Sequence, residues 1–484
     1  MKEQLAQYLR TYSAVPLTIQ YHDPKFDPLA AFQKLNQPNQ PAFLLTGKPK
    51  EKEDGYSFIC LNSEMTYRYR DYILTTTDLR NGNQHQEKAD FKQLVNDLLA
   101  KYKTPHIKGL PPFTGGLTGY FAYDYAKYSN PQLDQPVKDD LSLDDAELLL
   151  TKTVIAFNHH SQEVTLSHIM TRADFEQHYE KSLAKLKSLQ QSLQEPSHFH
   201  HNALRLKTPF RSQFSLSEFV DKVKATQQHI TDGDIFQLIL SDPQRAQING
   251  SLLATADQVF SDNPSPYQFY FHDGDFEIIG ASPETLITKR QDSLYTYPLA
   301  GTRRRGRTKE EDDRFAHELQ TSPKETSEHN MLIDLGRNDL GRISQFGTVH
   351  VTKERQLLKF SNVMHLGSTV ESTVAKGITG MDIIQSVLPA GTLAGAPKVS
   401  AMTIIQQLEQ RKRGVYGGCL GYFSFDGNLD FCIGIRLAYR KKDQLVIHSG
   451  AGIVADSIPE HEYQEFNNKA RGIKTSILAS AKEA

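Results

Sequence analysis

The chain has 484 residues, enough for a large core in several domains or one intertwined unit. Its formal charge is −2 with no basic block, which excludes nucleic acid as a partner class. No apolar run approaches a membrane span, Met1 to Tyr8 lacks the apolar core of a signal peptide, and Cys60, Cys419 and Cys432 form no metal-binding or disulfide pattern, so a cytoplasmic protein with reduced thiols and no membrane partner is expected.

The first ~200 residues read as short β-rich runs broken by turns, among them Ala42–Leu45, Tyr56–Cys60 and Thr153–Phe157. A polar amphipathic helix is expected over Arg172–Gln194. Glu195–Asn202 carries His198, His200 and His201, but Pro and Asn flank them and no acidic or Cys partner is near. It reads as a linker rather than a metal site. Ser215 with Glu218 is a capping box, and the helix it opens should end near Asp232-Gly233. Ile235–Leu240 reads as a buried strand with Gln237 as its one polar residue. Such an amide needs partners or costs roughly 1–3 kcal/mol, so it is either satisfied in the core or turned into a site. Beyond residue 265, strands are expected at Ile278–Ser282, Cys419–Phe425, Phe431–Leu437 and Leu445–Ser449. Helices are expected at Glu310–Leu332, Thr379–Val387 and Val399–Glu409. The two kinds of element do not alternate regularly, which favours an α+β fold with sizeable, mostly antiparallel sheets. The chain divides at the linker into an N-terminal region, 1–205, and a second region, 206–484.

Two acidic pairs, Glu325 with Glu328 and Glu462 with Glu465, have i, i+3 spacing in helical stretches. Each pair therefore shares one helix face. Solvated surface helices also carry such pairs. Packed together, however, four carboxylates suit a hard divalent cation, and Mg²⁺ uses carboxylates, waters and an anionic substrate. Gly391-Thr392-Leu-Ala-Gly395-Ala-Pro-Lys398 precedes a helix and is suited to an anion, although its spacing is not that of a P-loop. Gly450-Ala451-Gly452-Ile453 follows a strand and offers further backbone donors. Arg436, set among apolar residues, needs an acidic partner or an anionic ligand. Together these groups describe an anion pocket beside a carboxylate-held metal, fitted to a small carboxylate substrate bridged by Mg²⁺.

The segments Leu110-Pro-Pro-Phe113-Thr-Gly-Gly116, Gly119-Tyr-Phe121, Gly301-Thr302-Arg-Arg-Arg305-Gly306, Asp334-Leu-Gly-Arg337-Asn338-Asp339-Leu-Gly-Arg342, Val363-Met-His365, Pro389 to Lys398 and Gly450 to Ser457 resemble the chorismate-utilising enzymes, nearest their anthranilate synthase component I branch. The resemblance runs in order along nearly the whole chain. It implies a large two-sheet αββα sandwich, with 206–484 as the chorismate-binding catalytic region. It also implies Mg²⁺ as cofactor, held by Glu325, Glu328, Glu462 and Glu465. Glu284 is implied as the acid that protonates a leaving hydroxyl, with His365, Thr392 and Gln237 as further catalytic residues. Gly301, Thr302, Tyr416, Arg436, Gly450, Ala451, Gly452 and Lys469 would bind substrate. The aminodeoxychorismate branch typically has a nucleophilic Lys where this chain has Ala300. Isochorismate and salicylate synthases have a Lys that activates water where it has Gln237. Neutral ammonia needs no such help. The implied reaction is thus chorismate plus ammonia giving anthranilate and pyruvate, in tryptophan biosynthesis. The alternatives are the aminodeoxychorismate activity or a catalytically inactive regulatory homologue.

The resemblance also implies a hetero-oligomer, in which a glutamine amidotransferase subunit (component II) supplies the ammonia. Gly418-Cys419-Leu420-Gly421 looks like an amidotransferase nucleophile motif, but no matching His-x-Glu follows, and Cys419 is expected to be packing. The branch's tryptophan effector pocket maps onto Thr46, Pro264, Ser265, Tyr267 and Gln268. The Glu-Ser and Met of the usual pattern are replaced by Thr46-Gly47 and Gln268, which puts feedback in doubt.

Overall fold

The computed structural model describes residues 2–47, 55–195, 203–359 and 363–483. Among these, one sheet has 14 strands and the other 12, almost wholly antiparallel. The sheets pack face to face. Phe43, Phe58, Val154, Phe269, Phe271 and Ile278 of the first meet Tyr120, Leu149, Leu420, Tyr422 and Cys432 of the second in one apolar cluster. The outer face of the first sheet is covered by the helices Arg172–Gln194, Ala256–Asp262 and Pro459–Ser480. The outer face of the second is covered by Phe91–Lys101, Pro323–Gly341 and Gly380–Val387. This is the expected αββα sandwich: each helix buries one apolar face, and central strands such as Gly116–Phe121 and Phe276–Ser282 are buried on both. Each sheet takes strands from both sides of residue 205. In the first, Ala42–Thr46 pairs with Tyr267–Asp273; in the second, Gly116–Phe121 pairs with Cys419–Ser424.

Local signals hold in most places. Thr171, Ser215 and Thr379 form capping boxes with Asp174, Glu218 and Asp382. The Ser215 helix ends at Thr231, with Gly233 at φ +84°. The His198–His201 segment lies outside the described residues.

Three expectations need correction. The run expected as one helix over Glu310–Leu332 is two, Lys309–Thr321 and Pro323–Gly341. Pro323 has no N–H to continue the first helix but is suited to open the second, which Ser322 caps by accepting from Glu325 N. The strand expected from Ile235 begins at Gln237, and Phe236 is 74% exposed. The apolar run Phe431–Leu437 is not one strand. Leu429–Ile433 belongs to the second sheet and Leu437–Lys441 to the first. The chain crosses between them at Gly434-Ile435-Arg436, with Arg436 at φ +48°. A second crossover lies beside it: Phe276–Ser282 is in the first sheet, Thr285–Arg290 in the second, and Pro283-Glu284 joins them. The two are tied by Ala281 N donating to Arg436 O (3.0 Å) and Ile433 N donating to Glu284 O (2.9 Å).

Candidate active site

The paired crossovers set Glu284 and Arg436 side by side at the seam between the sheets. Thr392, in the turn Gly391–Leu393, donates its hydroxyl to Glu284 Oε1 at 3.0 Å. Burial pushes the Glu284 carboxyl up to about 7, against the opposing pull of the Thr392 hydrogen bond and the Arg436 and Lys469 charges. Arg436 is exposed, and the Glu284 carboxylate is the charge that favours its ionised form. The result is a carboxylic acid able to donate a proton near neutrality and cations able to stabilise what remains.

On the second-sheet side, the Leu299–Arg304 strand pairs with Val363–Thr373, and its register slips between Ala300 and Arg303. The bulge falls on Gly301-Thr302, a common device for aiming groups at a site. Gly301 adopts φ +64°, and a Cβ there would lie 2.8 Å from Glu325 Oε2, so only glycine lets the helix carboxylate come this close. His365 Nδ1–H donates to Gly301 O at 2.9 Å, which assigns the neutral ring the Nε2-acceptor tautomer. Burial, with the Arg436 charge also unfavourable, pulls His365 below its ordinary value. Thr302 lies in the same strand, its side chain outside the described ones.

On the first-sheet side, the Gln444–Ile453 strand carries Gly450, Ala451 and Gly452 and pairs with Gln237–Asn249. Gln237 is buried at the start of that partner strand, opposite Ala396. Tyr416 is buried, and its hydroxyl lies 2.9 Å from where a Cβ on Gly450 would stand. Lys469 donates to Gly450 O (3.1 Å) and pairs with Glu465 (2.8 Å). Hydrogen bonds and charge interactions thus link Glu284 with Thr392, Arg436 and Lys469, His365 with Gly301 and Arg436, and the Gly450 strand with Lys469 and Tyr416, into one site.

The acidic pairs lie on helices of two different layers. Glu325 and Glu328 sit on the Pro323–Gly341 helix against the second sheet; Glu462 and Glu465 sit on Pro459–Ser480 against the first. They are not gathered into one cluster: among the described residues no three His, Cys, Asp or Glu groups stand together as a metal centre. Glu325 pairs with Arg303 at 3.2 Å, Glu465 with Lys469, and Glu462 accepts from Ser457 at 2.8 Å. The donor type, carboxylate oxygen, fits a hard divalent cation in its chemistry, and of the four Glu325 stands at Gly301.

The residues mapped to the effector pocket are also brought together, with several of their polar groups already hydrogen-bonded. Thr46 lies opposite Gln268, and Gln268 opposite Ala281. The Gln268 amide donates to Phe260 O (2.6 Å) and Asn263 O (3.1 Å), closing off a helix end. Tyr267 donates to Asp430 (2.8 Å), and Ser265 donates to Ala281 O (3.1 Å). Pro264 is the half-buried residue before Ser265. Thr46 shares a hydrogen bond with Ser57 (2.5 Å), which in turn meets His159 Nε2 (2.7 Å). Neither Ser57 nor His159 stands out in sequence, because their relation depends on strand pairing. Cys419 is fully buried with its thiol pushed well above the usual range by burial, which makes it packing rather than a nucleophile.

Comparison with known proteins accords with this geometry. The family model for chorismate binding enzyme matches residues 40–475. Anthranilate synthase component 1 of Acetivibrio thermocellus is 35% identical over 477 residues, covering 97% of this chain and 96% of that protein. The crystal structure of anthranilate synthase component I from Streptococcus pneumoniae TIGR4 superposes with a TM-score of 0.77 at 31% identity, covering 94% of this chain and 98% of that one. A menaquinone-specific isochorismate synthase from Escherichia coli, 20% identical with a TM-score of 0.69 over 98% of both chains, shares the fold. With its sandwich, its paired crossovers and its motifs matched over nearly the whole length, the chain belongs to the chorismate-binding enzyme family.

Proposed function

We propose that this chain is the aminating subunit of an anthranilate synthase, converting chorismate and ammonia to anthranilate, pyruvate and water. The observation that carries the reading is the Glu284–Thr392–Arg436 cluster, an acid raised to about 7 and set between a hydroxyl and a guanidinium. Ammonia adds at the ring carbon ortho to the carboxylate, the ring double bonds shift, and the para C–O bond breaks. Hydroxide leaves poorly, so the Glu284 proton goes to that oxygen, which departs as water. The Glu284 carboxylate left behind is stabilised by Thr392, Arg436 and Lys469. Loss of the ring proton and cleavage of the enolpyruvyl C–O bond then release pyruvate and make the ring aromatic. Arg436, Tyr416 and the Gly450–Gly452 backbone hold the enolpyruvyl carboxylate. His365, kept neutral, accepts a hydrogen bond near the departing oxygen. Mg²⁺, held by the Glu325/Glu328 and Glu462/Glu465 pairs, would supply positive charge at the ring carboxylate. The names of the relatives and the presence of Ala300 and Gln237 in place of lysines support amination over the neighbouring chemistries. Ammonia would come from a glutamine amidotransferase subunit.

With ammonium salt at alkaline pH and Mg²⁺, the lone chain is expected to turn chorismate into fluorescent anthranilate, since free ammonia replaces delivery by the partner. Accumulation of 4-amino-4-deoxychorismate, isochorismate or salicylate would overturn the assignment.

Feedback by L-tryptophan is expected to be weak or absent. A buried ammonium needs an anionic or strongly accepting partner. Here the Thr46 hydroxyl is engaged by Ser57 and the Gln268 amide by two carbonyls. A loss of about 1.4 kcal/mol already weakens binding tenfold. An inhibition curve beside Thr46→Glu checks this; micromolar inhibition of the wild type would refute it. Restoring serine at Gly47 is not a usable control, because a Cβ there would stand 1.8 Å from Pro266 O.

A further inference from the structure

Next to the site lies a charged network with no role in the scheme above. Arg413 is 1% exposed, and its guanidinium is used on every side. Nε and Nη2 donate to the two oxygens of Glu409 (2.8 and 2.6 Å), Nη1 donates to Leu393 O (2.7 Å), and Nη2 also donates to Ile239 O (2.7 Å). Its Cζ stands 4.6 Å from the Tyr123 ring centroid and 5.9 Å from that of Tyr416. Glu409, also buried, accepts from Ser241 N (2.8 Å) and Ser241 Oγ (2.9 Å). Ser241 Oγ in turn meets His448 Nε2 at 3.0 Å, and the His448 ring stacks on Tyr416 with centroids 4.3 Å apart.

The groups so held adjoin the residues of the site. Leu393 follows Thr392, the hydroxyl on Glu284. Ile239 is the second residue after Gln237 and pairs with Gly452; Ser241 pairs with Gly450. Tyr416, under which His448 stacks, has its hydroxyl beside Gly450. One buried guanidinium thereby fixes the turn of Thr392, the strand of Gln237 and, through Glu409, Ser241 and His448, the Gly450 strand and Tyr416.

We propose that Arg413, with Glu409 and His448, is a positioning residue of the site, setting Thr392, Tyr416 and the Gly450–Gly452 backbone in the register that the transition state needs. This rests on the amination reading above. A displacement of about 1 Å at reacting groups costs on the order of 100-fold in rate, whereas ground-state binding tolerates it.

The test uses replacement of the whole pair. Removing one partner of a buried ion pair leaves an uncompensated charge, but exchanging both for apolar residues of similar volume is often neutral for stability. The double variant Arg413→Met/Glu409→Leu is therefore expected to keep the wild-type melting temperature within a few degrees and the KM for chorismate within about threefold, while kcat falls on the order of 100-fold. Arg413→Lys, which keeps the charge but not the fork, should recover part of the loss. Wild-type kcat in the folded double variant overturns the proposal. If that variant does not fold, His448→Phe carries the test: it keeps a ring against Tyr416 and removes the imidazole contacts to Ser241 and to the Arg413 backbone. It is expected to lower kcat about tenfold at unchanged KM and melting temperature, and wild-type kcat there overturns the proposal equally. Wild type is assayed in the same series with chorismate, ammonium and Mg²⁺. No anthranilate from wild type would remove the amination reading itself; anthranilate at equal rates from wild type and variant would remove only the positioning role.

Discussion

Glu328→Ala and Glu465→Ala are each expected to lower turnover on the order of 10³-fold or more with the fold intact. Both side chains lie on exposed helix faces, so their removal leaves no cavity. The cation they are proposed to help hold is asked for several kcal/mol of charge stabilisation, and each 1.4 kcal/mol is about tenfold in rate. EDTA should silence the wild type and Mg²⁺ restore it. Calorimetric titration should show Mg²⁺ binding to the wild type in the presence of substrate and its loss in either variant. Full activity in EDTA, or in either variant, would return the pairs to ordinary surface helix faces. The contacts of Glu325 with Arg303 and of Glu465 with Lys469 add a detail: the cation has to compete with protein ammonium and guanidinium groups.

Glu284→Gln should be nearly as damaging. General acid catalysis contributes about 10²–10⁴-fold, and the amide keeps the Thr392 contact but has no proton to give. The wild type should also carry a pH signature. Burial raises the Glu284 carboxyl to about 7, so the donating form prevails below that pH and is lost above it. At constant free ammonia, kcat/KM should be level on the acid side and fall about tenfold per pH unit on the alkaline side, a limb that Glu284→Gln lacks. The Arg436 charge opposes the rise, so Arg436→Met should move the limb to higher pH while raising the KM for chorismate. A limb that survives in Glu284→Gln would assign the proton to another group.

Much of this site was legible before the fold was known, and the reason is local. The i, i+3 glutamates need only helical spacing, and both stretches are helical. The capping boxes and the Gly391–Lys398 turn are likewise short-range signals. What stayed hidden was long-range. Phe431–Leu437 reads as one strand because both halves are apolar, yet they are buried in different sheets, and the change of sheet is what presents Arg436. Arg413 lies in the basic run Arg411-Lys412-Arg413 and reads as solvated. Only Glu409, four residues back, hints otherwise, while the carbonyls of Leu393 and Ile239 come from distant elements. Ser57 and His159 are joined to Thr46 purely by strand register. The break at Pro323 was the one local signal left unread.

The interleaving of strands from both ends of the chain bears on how the protein is made. When Gly116–Phe121 leaves the ribosome, its partner Cys419–Ser424 is roughly 300 residues from being synthesised, and Ala42–Thr46 waits for Tyr267–Asp273. At about 5–20 residues per second the longer interval is roughly 15–60 s. Throughout it, apolar strand edges of the nascent chain have nothing of their own to pair with. Birth is thus the protein's most aggregation-prone moment, and a chain truncated near residue 205 would stay in it.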